Sequence, residues 1–313
     1  MGRKYLFGPV ASRRLGRSLG VDLIPPKTCP FDCIYCEVGR TTRATTERSR
    51  FNPPAEILRQ LDEFFKSGGQ ADYITFSGSG EPTLSTDLGY LIDEAKRRYR
   101  VPVAVITNGA LLSDTAVRKD LSGADVVVPS LDAVREEPFR AVNRPVSGTR
   151  LEEIVRGLEE FTREYRGRVW LEVLLVAGVN DSDEDIEALA GAIARIKPER
   201  VQLNTVVRPP AESFARPVPP ERLEEIAARL SKAAPTEIVA PASLRACRES
   251  ALPPKDAILE TLKRRPCTVA DLEAGLSIGA EETQAALKEL IAEGKVKEVR
   301  FGSGAFYEAA DKP

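Results

Sequence analysis

The chain has 313 residues, 42% hydrophobic and 29% charged, with a formal net charge of −2. That is an ordinary globular balance, long enough for one large core plus a small second one, and it argues against a general polyanion binder. There is no histidine, which excludes imidazole general bases, Ser–His and Cys–His nucleophiles and His-rich zinc sites.

No run approaches the length of apolar sequence a membrane span needs, so no membrane partner is expected. Residues 1–20 carry five basic residues and no apolar h-region. They read as a basic N-terminal extension rather than a secretory signal, and the cytoplasm is the expected location. Residues 1–50 hold ten Lys/Arg against four Asp/Glu. This is either a solvated face around a loop or a basic rim for an anionic cofactor or substrate.

From residue 21 onward short apolar runs alternate with longer amphipathic ones. Strands are expected at 21–24, 73–76, 103–106, 125–129, 169–176 and 201–207. These runs are rich in Val, Ile and Leu, as parallel strands buried on both faces are. Helices are expected at 53–66, 86–99, 113–121, 149–165, 182–195 and 220–233. The first opens on Pro53-Pro54, and Ser182 followed by three acidic residues makes a good helix start. Six β/α units imply an α/β fold with a parallel sheet, a partial (β/α)6 barrel or an open doubly wound sheet spanning 21–250. In either, the site belongs at the carboxyl ends of the strands, where 77–82, 107–109, 130–132 and 177–181 fall. Composition shifts at Pro253-Pro254. Beyond it, helices at 255–264, 269–274 and 280–292 and strands at 295–300 and 305–308 suggest a small C-terminal winged-helix domain, 254–313.

There are five cysteines, and three lie within one short loop after the first expected strand: Cys29-Pro30-Phe31-Asp32-Cys33-Ile34-Tyr35-Cys36. Three thiolates on one loop leave one iron of a 4Fe–4S cluster open to chelate a small molecule. Zinc with a fourth ligand from elsewhere, a Cys33/Cys36 redox dithiol and three structural cysteines are the competing readings. The flanking sequence favours iron–sulfur.

The C-x3-C-x-(aromatic)-C pattern, with Tyr35 at the aromatic position, resembles the radical S-adenosylmethionine (SAM) superfamily. The run from Phe7 to Asp22 is similar to the opening of a poorly characterised branch grouped with wyosine-type tRNA-modifying enzymes. The segment from Val128 to about Asp181 is similar to the molybdenum-cofactor cyclase. The resemblance covers roughly residues 5–240. It implies a 4Fe–4S cluster on Cys29, Cys33 and Cys36 and SAM as second cofactor, with Tyr35 in the cofactor site. The reduced cluster would donate one electron to the SAM sulfonium. The resulting 5′-deoxyadenosyl radical would take hydrogen from the substrate, a scheme in which the lack of histidine costs nothing.

Ser77-Gly78-Ser79-Gly80-Glu81-Pro82 resembles the family's G-G-E-P loop, with Ser79 in the first glycine position. The resemblance implies that Ser79 and Gly80 carbonyls meet the methionine amino group and that Glu81 orders the loop; taken alone, the run is also a plain βα turn. It further implies that Asn108 and Ser130 face the methionine or ribose, with Asp132 close by. Arg144 is a candidate clamp for a carboxylate, or else a surface arginine. Residues 176–181 resemble the adenine-contacting motif, with Val176 in it and Asn180 as a ribose ligand. Asn204 lies on the sixth strand, whose edge meets the adenine.

The substrate is left open: an RNA base, a peptide or a small molecule. The wyosine-type enzymes carry a second cluster on cysteines upstream of the radical motif, and no cysteine precedes Cys29 here, so that reaction is not expected. Cys247, in Leu244-Arg245-Ala246-Cys247-Arg248, reads as a buried inert thiol or a redox thiol. A reducing partner such as ferredoxin or flavodoxin is expected. RNA or protein contact through the winged helix is open. Residues 254–313 hold nine Lys/Arg against eleven Asp/Glu, which favours a protein-contact or lid role over phosphate binding. The alternatives are a redox-sensing Fe–S regulator that binds nucleic acid and a glycyl-radical activase.

Overall fold

The computed structural model describes residues 4–12, 14–239, 254–276 and 278–311. Cys247 and its surrounding segment lie outside them. In chain order the elements begin with β1 (Leu6–Ser12), β2 (Gly16–Val21), β3 (Thr28–Cys29) and β4 (Arg43–Ala44). Next come α1 (Pro54–Lys66), β5 (Tyr73–Phe76), α2 (Leu88–Arg98), β6 (Val103–Thr107), α3 (Thr115–Leu121) and β7 (Val126–Pro129). They are followed by α4 (Glu136–Asn143), α5 (Leu151–Glu164), β8 (Arg168–Leu175), α6 (Asp183–Ile196), β9 (Arg200–Thr205), α7 (Pro220–Leu230) and β10 (Thr236–Ile238). The chain closes with α8 (Pro254–Leu262), α9 (Val269–Leu276), α10 (Ala280–Ala292), β11 (Val296–Phe301) and β12 (Gly304–Ala309).

One eight-stranded sheet runs β1-β2-β5-β6-β7-β8-β9-β10. β1 is antiparallel to β2, and each later neighbour is parallel. The fold is thus α/β with a mostly parallel sheet, as expected. Two boundaries move. The first parallel strand is Gly16–Val21 rather than 21–24, and residues 6–21 form a hairpin in the sheet instead of a separate extension. β10 adds a further strand at the opposite edge, so the six expected strands are flanked on both sides.

The sheet is curled. In a flat sheet the turn between β1 and β2 would lie roughly 20 Å from β8, at about 4.8 Å per strand. Arg14, in that turn, nevertheless bonds Glu172 on β8 at 2.7 Å and Gln202 on β9 at 3.4 Å. The strands have a period of two that their apolar composition conceals. Val103, Val105, Val127, Leu171, Val173, Val201 and Leu203 face outward into the main core under the helices. The alternate positions face inward. Near the strand starts they are apolar, with Ala104, Val126, Val128 and Trp170 closing the interior with Leu15. Toward the strand ends they turn polar: Thr75, Ser130, Glu172 and Asn204 line a cavity. The sequence therefore builds a dry floor and a wet mouth from one alternation.

Residues 254–311 have their own small core around Ile258, Leu262, Cys267, Leu287 and Leu290. Three helices are followed by the antiparallel β11–β12 ribbon. This unit packs on the barrel: Arg264 donates to the Lys4 carbonyl, Arg208 pairs with Asp271, and Phe301 packs on the cluster of Val176, Val206 and Ala215.

Candidate active site

The cysteine loop leaves the sheet after β2 and is pinned from three sides. Phe31 and Pro145 pair as a bridge, Ile34 N–H donates to the Val142 carbonyl at 3.0 Å, and Asp32 N–H donates to the Asn143 carbonyl at 3.0 Å. The end of α4 thus holds the loop. Thr45 N–H donates to the Cys29 carbonyl, and Glu81 N–H to the Thr28 carbonyl at 3.1 Å.

Each thiol has its own nitrogen donor. Lys27 Nζ lies 3.3 Å from Cys36 Sγ, Asn108 Nδ2 3.3 Å from Cys29 Sγ, and Asn143 Nδ2 3.5 Å from Cys33 Sγ. Burial pushes the Cys29 thiol up to about 12, with the Glu81 carboxylate adding to it. Burial raises Cys33 well above the usual thiol range as well, helped by Asp132 and its neighbouring sulfurs. Bare, these are protonated thiols, so loading them with metal releases protons.

Glu81 is the hub behind them. Its carboxylate accepts from Thr83 N–H at 3.0 Å, the Thr83 and Thr107 hydroxyls at 2.6 Å each, and Asn108 N–H at 2.8 Å. Burial still raises its pKa against those donors. The carboxylate thereby ties the loop after β5 to the end of β6. Gly80 has no room for a side chain: a Cβ there would sit 2.3 Å from the Thr28 carbonyl oxygen. Ser79 turns its hydroxyl to Asp22 at 2.6 Å, and its carbonyl accepts from Lys27 N–H at 2.7 Å.

Tyr35 donates to Asp132 Oδ2 at 2.5 Å. Asp132 also accepts from Asn143 Nδ2 at 2.7 Å and Leu174 N–H at 2.9 Å. Burial lifts its pKa to about 6 despite those bonds. Burial, then the Asp132 charge, holds the Tyr35 phenol well above its usual range. Ser130 lines the cavity, its hydroxyl 3.5 Å from Glu172 Oε2.

Asn204 Nδ2 donates to Glu172 Oε1 at 2.5 Å, while its own Oδ1 has no partner although the residue is buried. Asn204 as a residue borders a ligand-sized space of about 340 Å³ lined also by Tyr35 and Cys36. The donor set fits the implied cofactors: spaced thiols, each with an N–H donor, beside a cavity with an unmet acceptor. Among the described residues no three Cys, Asp or Glu side chains converge on one metal ion.

Two of the expected cofactor contacts make bonds within the protein. Asn180 is 1% exposed and spends its amide internally, donating to the Asp132 and Leu174 carbonyls and accepting from Val176 N–H. It staples two strand ends together and has no amide hydrogen left for a ribose; Val176 is buried with it. Arg144 is paired with Glu212 at 2.5 Å, not turned into the cavity. The residue beside it, Asn143, is the one that reaches the cysteines. Lys27, Arg14, Glu172 and Gln202 were also missed. The inward alternation of Glu172, Gln202 and Asn204 in otherwise apolar strands is the signal that marks the last two.

These features define the cysteine-lined mouth of a partial barrel, and the radical SAM superfamily profile matches residues 23–190. The chain belongs to that superfamily. Its members are enzymes, and its cofactors are a 4Fe–4S cluster and SAM. Within it the chain stands with the UPF0026 family: it is 37% identical to UPF0026 protein MJ1312 of Methanocaldococcus jannaschii, over 71% of this chain and 70% of that one. It is also 38% identical to a Brachyspira hyodysenteriae protein named GTPase Obg, covering 94% of this chain but only 44% of that protein. The name belongs to the longer protein. Streptococcus suis SuiB, solved with SAM bound, matches in fold with a TM-score of 0.52 at 16% identity, over 70% of this chain and 50% of SuiB. Among the described residues no helix is long and apolar enough to cross a membrane.

Proposed function

We propose that Cys29, Cys33 and Cys36 hold the 4Fe–4S cluster and that SAM lies across the mouth between them and Asn204. Bound there, the cluster and SAM would supply one-electron chemistry for taking hydrogen from a substrate in the cavity. The observation that carries this reading is the set of three thiols, each with its own N–H donor, at the strand ends of the curled sheet.

The chain's own residues position and exclude. Lys27, Asn108 and Asn143 place positive charge or amide hydrogens against the sulfurs, favouring their charged form. Glu81 fixes the loop that carries Gly80. Tyr35, Asp132 and Asn143 form a buried chain that holds the cysteine loop against the end of β7. We read residues 254–311 as a winged-helix unit acting as a lid beside the mouth rather than as an RNA reader. Its contacts through Arg264, Asp271 and Phe301 support that role. A small reducing protein is the expected electron source.

The test is anaerobic reconstitution with iron and sulfide, then dithionite and SAM, with Cys33→Ala as control. The expected result is cluster absorbance and 5′-deoxyadenosine in the wild type and neither in the variant. A cluster-loaded wild type that binds no SAM would overturn the reading in favour of a redox sensor.

A further inference from the structure

Six buried side-chain polar atoms lack a partner among the described residues, and four belong to residues lining the cavity at the strand ends: Asn204 Oδ1 and the Nε atoms of Arg208, Arg264 and Arg265. Buried donors without acceptors are costly, and three arginine Nε atoms concentrate that cost beside one cavity, where of the three side chains only Arg265 also lacks a partner at its terminal nitrogens. Arg208 and Arg264 are 9% and 8% exposed.

Most of the charge on this wall is already balanced. Arg208 pairs with Asp271 at 3.2 Å and lies 3.6 Å from Glu37. Arg264 pairs with Glu260 at 2.9 Å, and its Nε lies 3.4 Å from Asp22 Oδ2 without hydrogen-bond geometry. Arg14 is matched by Glu172. Arg265, half-buried at the end of α8, has no hydrogen bond or ion pair from its side chain among the described residues. Two of these arginines come from the barrel and two from the C-terminal unit, so the wall exists only when the two are docked.

We propose that the C-terminal unit completes the substrate pocket and that the substrate is a small molecule bearing a carboxylate or phosphate, held against Arg265 with Arg208 and Arg264 beside it. This rests on the radical SAM reading of the same cavity. A guanidinium edge offers parallel N–H donors that match either anion. The cavity is shared with SAM, so the substrate takes only its arginine end and must be small. The lid is then part of recognition, because removing it removes Arg264 and Arg265.

The experiment is calorimetric titration of inorganic phosphate and, separately, succinate into the cluster-loaded full chain at saturating SAM. Arg265→Gln is compared with Lys263→Gln, whose side chain sits on the same turn, paired with Glu260, outside the cavity lining. Saturable binding of one anion is expected, and which one binds separates phosphate from carboxylate substrates. It should weaken about tenfold or more in Arg265→Gln, the loss of one charge-assisted bond, and stay unchanged in Lys263→Gln. Cluster absorbance in each variant reports that it has folded. No binding of either anion to a chain that binds SAM would overturn the proposal and leave the radical SAM reading standing. So would unchanged affinity in Arg265→Gln, or binding seen only without SAM, which would assign the wall to the cofactor's own carboxylate. A chain that neither loads a cluster nor binds SAM would sink the underlying reading with it.

Discussion

Two adjacent side chains divide the work at the end of α4. Asn143 donates to both Asp132 and Cys33 from a buried position, while Arg144 leaves the helix with φ of 44° and pairs with Glu212. Asn143→Ala leaves a buried carboxylate one donor short, which costs ~1–3 kcal/mol. Arg144→Gln removes a partly exposed ion pair and should cost less than ~1 kcal/mol. Urea unfolding under argon measures both, and equal losses would contradict the division. Lys27 makes a separate prediction. It is buried, with its ammonium 3.3 Å from Cys36 Sγ. A positive charge and N–H bonds beside a cluster favour its reduced, more negative state. Lys27→Met should therefore move the cluster's midpoint potential in the negative direction by EPR-monitored titration; an unmoved potential would place Lys27 outside the cluster's field.

At the scale of elements, the cysteine loop depends on close backbone approach. Gly80 packs on the Thr28 carbonyl, and Gly78 has φ of 137° with Asp22 where a Cβ would go. Gly80→Ala should push β3 and the cysteine loop off the loop after β5. Iron retained after gel filtration should fall, while far-ultraviolet circular dichroism stays near wild type. Iron retention equal to wild type would show that the loop absorbs the methyl group. The elements around this contact were unequally legible. Strands β5 to β9 and most helices could be read because runs of Val, Ile and Leu alternate with amphipathic stretches. The β1–β2 hairpin could not. A register shift between Phe7 and Val10 breaks its alternation, and glycines interrupt it. Eight-residue α4 is too short to show a helical period and carries Pro138. That Cys29, Cys33 and Cys36 share one loop at the strand ends was legible from their spacing and flanking sequence. Asn143 was not, since a left-handed backbone at the next residue decides which of two neighbours faces the cysteines. The internal bonds of Asn180 were not legible either, because a satisfied internal amide and a ligand amide look alike in sequence.

At the scale of the whole molecule, the sign of charge on the C-terminal unit decides what it can touch. α10 presents Glu281 and Glu282 in its first turn. Glu289 and Glu293 are already bound to Lys255 at 2.8 and 2.5 Å. A helix entering a groove of RNA meets phosphates, each of which needs a cation and releases a counterion when it finds one. Here the helix would bring carboxylates to phosphates. The basic residues on the ribbon are partly used as well: Lys297 pairs with Glu308, and Lys295 with Glu293. The same unit turns Arg264 and Arg265 toward the cavity. Binding of unmodified tRNA should therefore be weak. Its affinity should change little with salt, since each phosphate neutralised adds ~0.7–0.9 to the slope of log K against log[salt]. Fluorescence anisotropy across a salt series measures that slope for the full chain and for Lys295→Gln/Lys297→Gln. A steep slope that flattens in the double variant would assign the ribbon to RNA and reverse the lid reading. A shallow slope in both leaves the unit's outer face to protein contact and its inner face to the substrate.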